Sequence, residues 1–304
     1  MEDAPAIHEL IAAYDTAVIG APDVTLDDVA DELVEPGFDR DKDGWLARDA
    51  DGRLTGWAWA HRIGDGDLVH VQVIVRPGAD RAQGLADELL RLVIDRAREL
   101  GAERGHDRVT VDLDVFRADE AKPALAKEFG FEPGTSFYRM RIDYSGPVEP
   151  PVPPDGVTLA TGESEEVRRE AHKVQQEGFA EHFGFVAVDY DSWYARRQGQ
   201  SVTDWSQLTL ARIDGRPAGV LIGNNQFVPD EDCGYVANLA VLPEFRGRGL
   251  GRFLLRHAFT ADAARGRRGT ILHVDSNNTS PALGLYESAG MRPVLVIDVW
   301  RRRL

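Results

Sequence analysis

The chain has 304 residues, 43% of them hydrophobic, and a formal net charge of −16. That length exceeds one compact core and suits two domains of ordinary size. So acidic a composition argues against nucleic acid as a partner, because phosphate contacts need a basic surface, and it is compatible with a cationic acceptor as well as with plain solubility. A single cysteine, Cys233, rules out an intrachain disulfide framework. No metal is expected, and the compartment reads as reducing. The acidic start Met1-Glu2-Asp3 lacks the features of a signal peptide, and no apolar run approaches membrane-spanning length. The expectation is a soluble cytoplasmic protein with no membrane partner.

Pro5 to about Ala17 and Thr25 to Leu33 read as helices, with Thr25 and Asp28 spaced as a capping box. Trp45–Arg48, Leu54–Ala60 and Leu68–Val75 read as strands separated by Asp-Gly or Gly-Asp turns, the pattern of antiparallel hairpins. Gly84–Leu100 follows as a long amphipathic helix. Val109–Val115 alternates as a strand does, Ala121–Phe129 is helical after an early Pro123, and Phe137–Ile142 is expected to close this unit.

Between Ser145 and Gly156 lie Pro147, Pro150, Pro151, Pro153 and Pro154, too many for a helix or a central strand. Residues 146–156 are therefore read as a linker between domains 1–145 and 157–304. The second half repeats the plan, with helices at Glu163–Phe179 and Asp189–Arg197 and strands at Leu208–Ile213 and Ala218–Gly223. The repeat is visible in residues. Val75-Arg76-Pro77 matches Val241-Leu242-Pro243, Gly84-Leu85-Ala86 matches Gly249-Leu250-Gly251, and Phe129-Gly130-Phe131 matches Ala289-Gly290-Met291.

An apolar strand through Val236, Leu239 and Val241, closed by Pro243, leads into Arg246, Gly247, Arg248, Gly249, Leu250 and Gly251 and then a helix running to about Arg265. Glycines at a helix start let the backbone approach a ligand, and the free amides with the positive end of the dipole make an anion site. The expected ligand is a phosphate or pyrophosphate. Glycines at every second position do not fit the Rossmann spacing, and the Gly-Lys-Ser/Thr of a P-loop is absent. A tight turn that binds nothing is the bland alternative. After a strand at Thr270–Val274 come Asp275, Ser276, Asn277 and Asn278, then Ala282, Leu285, Tyr286, Glu287, Gly290 and Met291.

Arg-x-x-Gly-x-Gly after Val-x-Pro resembles the coenzyme A loop of the GNAT superfamily of N-acetyltransferases. The Asn, the short helix with Leu-Tyr and the Gly-hydrophobic exit resemble that family's second signature. The resemblance implies an α/β (α+β) fold class: two tandem GNAT-like domains, each a mixed, mostly antiparallel sheet flanked by helices. The first copy is degenerate and the second catalytic, because the first loop, Arg81 to Ala86, is followed by no Asn-rich segment and Ala126 stands where Tyr286 would be. The tandem arrangement also resembles that of mycothiol synthases, which acetylate a cysteinyl pseudodisaccharide.

What the family implies for single residues follows from the matched motifs. Acetyl-CoA is the acyl donor, its pantetheine running along Leu239, Ala240 and Val241 and its phosphates on Arg246, Gly247, Arg248, Gly249, Leu250 and Gly251. Asn278 and Tyr286 complete the coenzyme site. Tyr286 protonates or steadies the departing thiolate, whose pKa is about 8.5. The glutamate that many members carry eleven residues before the loop arginine is Tyr235 here. Tyr235, Glu231 and Asp232, with Asp275 and His273, are therefore the candidates around the missing base. The primary amine of a small acceptor is expected among His182, Phe183, Phe185 and Tyr190, beside Trp193 and Tyr194, since aromatics with carboxylates suit a cation. Ordinary aromatic packing explains that cluster equally well. A coenzyme A-binding sensor or scaffold without turnover is the rival from another class.

Overall fold

The computed structural model describes residues 3–62, 64, 66–276 and 282–304. The first half contains α1 (Ala4–Ile19), α2 (Leu26–Glu32), α3 (Arg40–Asp43), β1 (Gly44–Arg48), β2 (Leu54–Arg62), β3 (Leu68–Val75), α4 (Ala82–Ala102), β4 (Thr110–Phe116), α5 (Lys122–Glu128) and β5 (Glu132–Asp143). The second contains β6 (Val157–Thr161), α6 (Glu165–Phe179), α7 (Tyr190–Gln198), β7 (Leu208–Ile213), β8 (Arg216–Asn224), α8 (Val228–Glu231), β9 (Cys233–Val241), α9 (Leu250–Ala264), β10 (Gly269–Asp275), α10 (Ala282–Ser288) and β11 (Arg292–Arg303). The chain divides into two units, one of Met1–Ser136 with Val296–Leu304 and one of Phe137–Leu295.

In the first unit β1, β2 and β3 pair antiparallel, β3 pairs parallel with β4 from Leu68↔Thr110 to Val71↔Leu113, and β4 pairs antiparallel with Ile297–Arg303 of β11. The long α4 buries Leu89, Leu90, Val93 and Ile94 against Ala58, Ala60, Val71 and Leu113 of the sheet. Ile7, Leu10 and Ile11 of α1 cover a separate cluster with Leu54, Trp57 and Ile74. The capping box at Thr25 forms, with Asp28 bonding back to the cap amide.

The second unit orders its strands β5, β10, β9, β8, β7, β6. Phe137–Asp143 of β5 pairs antiparallel with β10, and β10 pairs parallel with β9. Gly219 of β8 pairs with Val241, and a Cβ there would meet Leu250 and Leu254 of α9. The adjacent Ala240 instead meets Gly178 of α6, where an added Cβ would lie 2.7 Å away. Neighbouring strand residues point to opposite faces, so α9 and α6 cover opposite sides of β9.

Two features differ from the sequence expectation. Phe137–Ile142 does not close the first unit; it belongs to the sheet of the second, and the end of β11 belongs to the first. The proline-rich stretch 146–156 carries neither helix nor strand, but it lies within the span 137–295 and not where one unit gives way to the other. The physical reason is that apolar alternation specifies which face of a strand is buried, not which neighbour it pairs with. The two strands occupy matching places in the repeat, each following a short helix and a glycine exit.

Candidate active site

The site begins where two parallel strands separate. β9 and β10 pair only as far as Val236 and Leu272, although β9 runs on to Val241 and β10 to Asp275. At the same point the β8–β9 register shifts between Ile222 and Gly223 and passes over Ala237. Such a bulge bends its strand and locally ends pairing. The gap opens into a cavity of about 580 Å³, a size suited to a small ligand or part of a cofactor. Ala237, Leu239, Ala240 and Val241 line one wall, and His273, Val274 and Asp275 line the other.

The glycine loop frames the cavity mouth. Pro243–Phe245 make one tight helical turn that buries Phe245. Gly247 and Gly249 then take φ of 75° and 78°, the left-handed region that residues with a Cβ avoid. An added Cβ would meet nothing within 4 Å at either position, so backbone geometry, not crowding, calls for glycine. Helix α9 starts at Leu250 with no side-chain cap on its N-terminus. Its first ladder bond runs from the Phe253 amide to the Gly249 carbonyl at 3.0 Å. The amides of Leu250, Gly251 and Arg252, which line the cavity, are thus left for an anion, and the helix dipole favours the same charge. Arg246 also lines the cavity, and its Nε donates to the Val241 carbonyl at 3.0 Å, tying the loop to β9. Arg248 lies over the Phe245 ring and is not part of the lining.

Tyr286, on α10, lines the cavity from beside the loop and is 7% exposed. Burial pushes its phenol up to about 12, so it stays protonated at neutral pH and offers a hydrogen-bond donor. Tyr235 and His273 line the cavity as well, with Tyr235 Oη 3.0 Å from His273 Nδ1. Burial raises the Tyr235 phenol to about 12, against the opposing charge of Arg139. Burial, reinforced by Arg139, lowers His273 to about 3 and keeps it neutral. Arg139 is 6% exposed, and its Nε donates to His273 Nε2 at 3.2 Å.

The remaining sequence candidates divide. His182, Phe183 and Phe185 line the cavity together with Phe137 and Phe179. Burial lowers His182 below the ordinary histidine value, with Asp275 pulling the other way. Tyr190 is not in the lining; it stacks with Tyr194, packs tilted against Trp193 and lies beneath Arg169, whose guanidinium is 4.0 Å from its ring centre. Glu231 and Asp232 are not in the lining either. Glu231 is engaged by Arg141 and by Arg139, and Asp232 adopts φ 50° as the left-handed cap of α8, its carbonyl accepting from the Arg268 amide. Asn278 lies outside the described residues. Arg139 and Phe137 were missed because they sit on β5, which the sequence reading assigns to the first half; no local signal places them here. In the first unit Ala126 is fully buried and brings no hydroxyl.

A profile of the acetyltransferase (GNAT) family matches residues 5–131 and 169–291. The chain belongs to the GNAT family of acetyltransferases. Curated relatives described as mycothiol acetyltransferases include those of Thermobispora bispora and Actinosynnema mirum. The first is 30% identical over 76% of this chain and 75% of the relative, the second 30% over 81% and 78%. Among solved structures, a GCN5-related N-acetyltransferase from Sphaerobacter thermophilus superposes with a TM-score of 0.83 at 25% identity, covering 99% of this chain and 93% of the other. A tandem GNAT protein from the clavulanic acid biosynthesis pathway shares the fold, with a TM-score of 0.72 at 19% identity over 99% and 95%. The chain is thus an acetyl-CoA-dependent GNAT acetyltransferase of tandem type. Among the described residues no helix of this GNAT protein is long and apolar enough to cross a membrane, and no group of three or more His, Cys, Asp or Glu side chains could hold a metal ion.

Proposed function

We propose that the unit Phe137–Leu295 transfers the acetyl group of acetyl-CoA to the primary amine of a small acceptor, by direct attack in a ternary complex. One observation carries this reading: the separation of β9 from β10 beyond Val236, the uncapped start of α9 and Tyr286 all border one cavity. The pyrophosphate is held by the amides from Gly247 to Arg252. The pantetheine pairs with the backbone of Leu239–Val241 on the side that β10 has left. An amide of that segment, at Leu239 or Ala240, faces the thioester oxygen and stabilises the charge that grows there as nitrogen attacks carbon.

The nitrogen–carbon bond forms, the tetrahedral intermediate collapses and the carbon–sulfur bond breaks. The sulfur leaves as a thiolate whose conjugate acid has a pKa of about 8.5, well below the Tyr286 phenol at about 12. Tyr286 therefore serves the sulfur chiefly as a hydrogen-bond donor. The proton lost from nitrogen passes to the cavity's own acceptors, the His182 imidazole and the Asp275 carboxylate, and on to water.

A second reading of the acceptor has support in the relatives described as mycothiol acetyltransferases, which align over about three-quarters of each chain. It makes the acceptor the amine of a cysteinyl pseudodisaccharide; Tyr235 in the place of the family's glutamate is the feature that departs from it. Incubation with acetyl-CoA and a panel of amines that includes this acceptor tests both readings. The products are followed by mass, because a cysteinyl acceptor itself reacts with thiol reagents. Acetamide formation on an amine supports transfer, and the acceptor with the highest kcat/KM selects between the two readings. Binding of acetyl-CoA with no acetylated product across the panel would favour a sensor.

A further inference from the structure

Arg139 on β5 stands directly across the ladder from His273 on β10. A guanidinium has only donors, so the His273 Nε2 that receives the Arg139 Nε–H carries a lone pair. A neutral imidazole then keeps its proton on Nδ1, the nitrogen 3.0 Å from Tyr235 Oη. The phenol oxygen must accept that bond, so its own O–H turns away from the imidazole and is left for a partner in the cavity, which Tyr235 lines. The opposite polarity would set an Nε2–H against the Arg139 Nε–H, two donors facing each other.

The source of this polarity is itself fixed. The Arg139 guanidinium lies 4.6 Å from the centre of the Phe227 ring, and its Nη1 is 3.7 Å from Glu231 Oε1. Arg141 holds the other oxygen of Glu231. Glu231, a base candidate by sequence, is thus the anchor of the arginine.

We infer that Tyr235 is a hydrogen-bond donor aimed into the acceptor cavity, with Arg139 and His273 as positioning residues that set its direction. The inference rests on the acetyl-transfer reading for its functional meaning but not for its geometry. An ammonium has no lone pair to receive such a donor and an attacking neutral amine commits its own to the thioester carbon, whereas a carbonyl or hydroxyl oxygen keeps one free. Where many family members carry a proton-accepting glutamate, this cavity recognises an oxygen next to the reacting amine. The acceptor class is therefore an aminoacyl compound or an amino alcohol, in preference to a simple alkylamine.

The test has two arms. Nitrogen-15 NMR of the histidine rings should show His273 neutral with its proton on Nδ1. Arg139→Met should let the proton move to Nε2, and Arg139→Lys, which restores a donor, should return it. A wild-type Nε2–H tautomer overturns the inference whether or not any transfer is seen. In the second arm cysteinamide and cysteamine are compared as probe acceptors. Wild type should prefer cysteinamide in kcat/KM, and Tyr235→Phe should shrink that preference by about three- to tenfold, the size of one neutral hydrogen bond. Arg139→Met should shrink it similarly, and the double variant no further than Tyr235→Phe alone. A preference unchanged in Tyr235→Phe overturns the inference. Transfer to neither probe would count against the acetyl-transfer reading, with the direction of the relay still decided by the tautomer.

Discussion

Gly249 and Gly251 lie two residues apart in the loop proposed to hold the coenzyme, and the structure predicts opposite consequences for substituting them. Gly249 sits at φ 78° just before α9, with nothing within 4 Å of an added Cβ. Gly249→Ala therefore meets no clash, only the cost of a left-handed residue with a Cβ, about 1–2 kcal/mol. Gly251 lies inside α9, where an added Cβ would make ordinary contacts with Leu285 at 3.5 Å and Val241 at 3.7 Å. Gly251→Ala should therefore gain up to about 1 kcal/mol of helix propensity. In a unit of this size 1 kcal/mol moves the melting temperature by roughly 2–4 °C. The two variants should melt on either side of wild type. On the proposed coenzyme site, relaxing the Gly249 turn should also misalign the amides that receive the phosphates, each charge-assisted bond being worth about 1.5–3 kcal/mol. Calorimetry should then find acetyl-CoA binding at least tenfold weaker in Gly249→Ala. Thermal melts with titration check both halves. A Gly249→Ala protein with wild-type stability and affinity, or a Gly251→Ala protein that melts markedly lower, would refute the reasoning.

Tyr286→Phe keeps the ring and removes the hydroxyl, so acetyl-CoA affinity should hold while kcat falls by about 10²- to 10³-fold, the loss expected for one donor aimed at developing charge; steady-state kinetics beside calorimetry separates the two. Substituting Arg81 and Gly84 together in the first-unit loop should leave turnover within a few fold, because Ala126 supplies no hydroxyl there; a collapse of kcat would show that the first copy does the chemistry. The pKa of His273, lowered by burial to about 3 from an ordinary value of about 6.5, means the unfolded chain takes up this proton first. Stability from that site is fully present above about pH 6.5 and is lost as pH falls toward the folded value, by about 2 kcal/mol down to pH 5. Denaturant titrations at about pH 7 and pH 5 should show a shallower loss in His273→Gln than in wild type, and equal losses would contradict the assignment.

Local chemistry was readable wherever a short stretch fixes its own backbone. Leu68–Val75 and Leu208–Ile213 alternate between turn residues and form strands with those bounds. Thr25 and Asp28 are three apart and close a capping box, and Gly247 and Gly249 before α9 adopt the positive φ that their type permits. Partnership between distant segments was not readable. The alternation in Phe137–Ile142 identifies a strand, yet only the folded chain pairs it with β10. Phe137 therefore reaches the cavity, and Arg139 its His273, unannounced. Glu231 and Asp232 stand close to Tyr235 in sequence, which made them base candidates, but the partner that engages Glu231 is Arg141, 90 residues away. Tyr190 shows the same limit in aromatic form, because α7 turns its rings toward one another and Trp205 instead of toward the cavity.

The most direct test of the account is a structure of the protein bound to acetyl-CoA. The account predicts the pyrophosphate on the amides between Gly247 and Arg252, the pantetheine along Leu239–Val241, and the thioester sulfur within hydrogen-bond reach of the Tyr286 hydroxyl. Coenzyme bound with its sulfur remote from Tyr286, or seated only at the Arg81–Ala86 loop of the first unit, would contradict it.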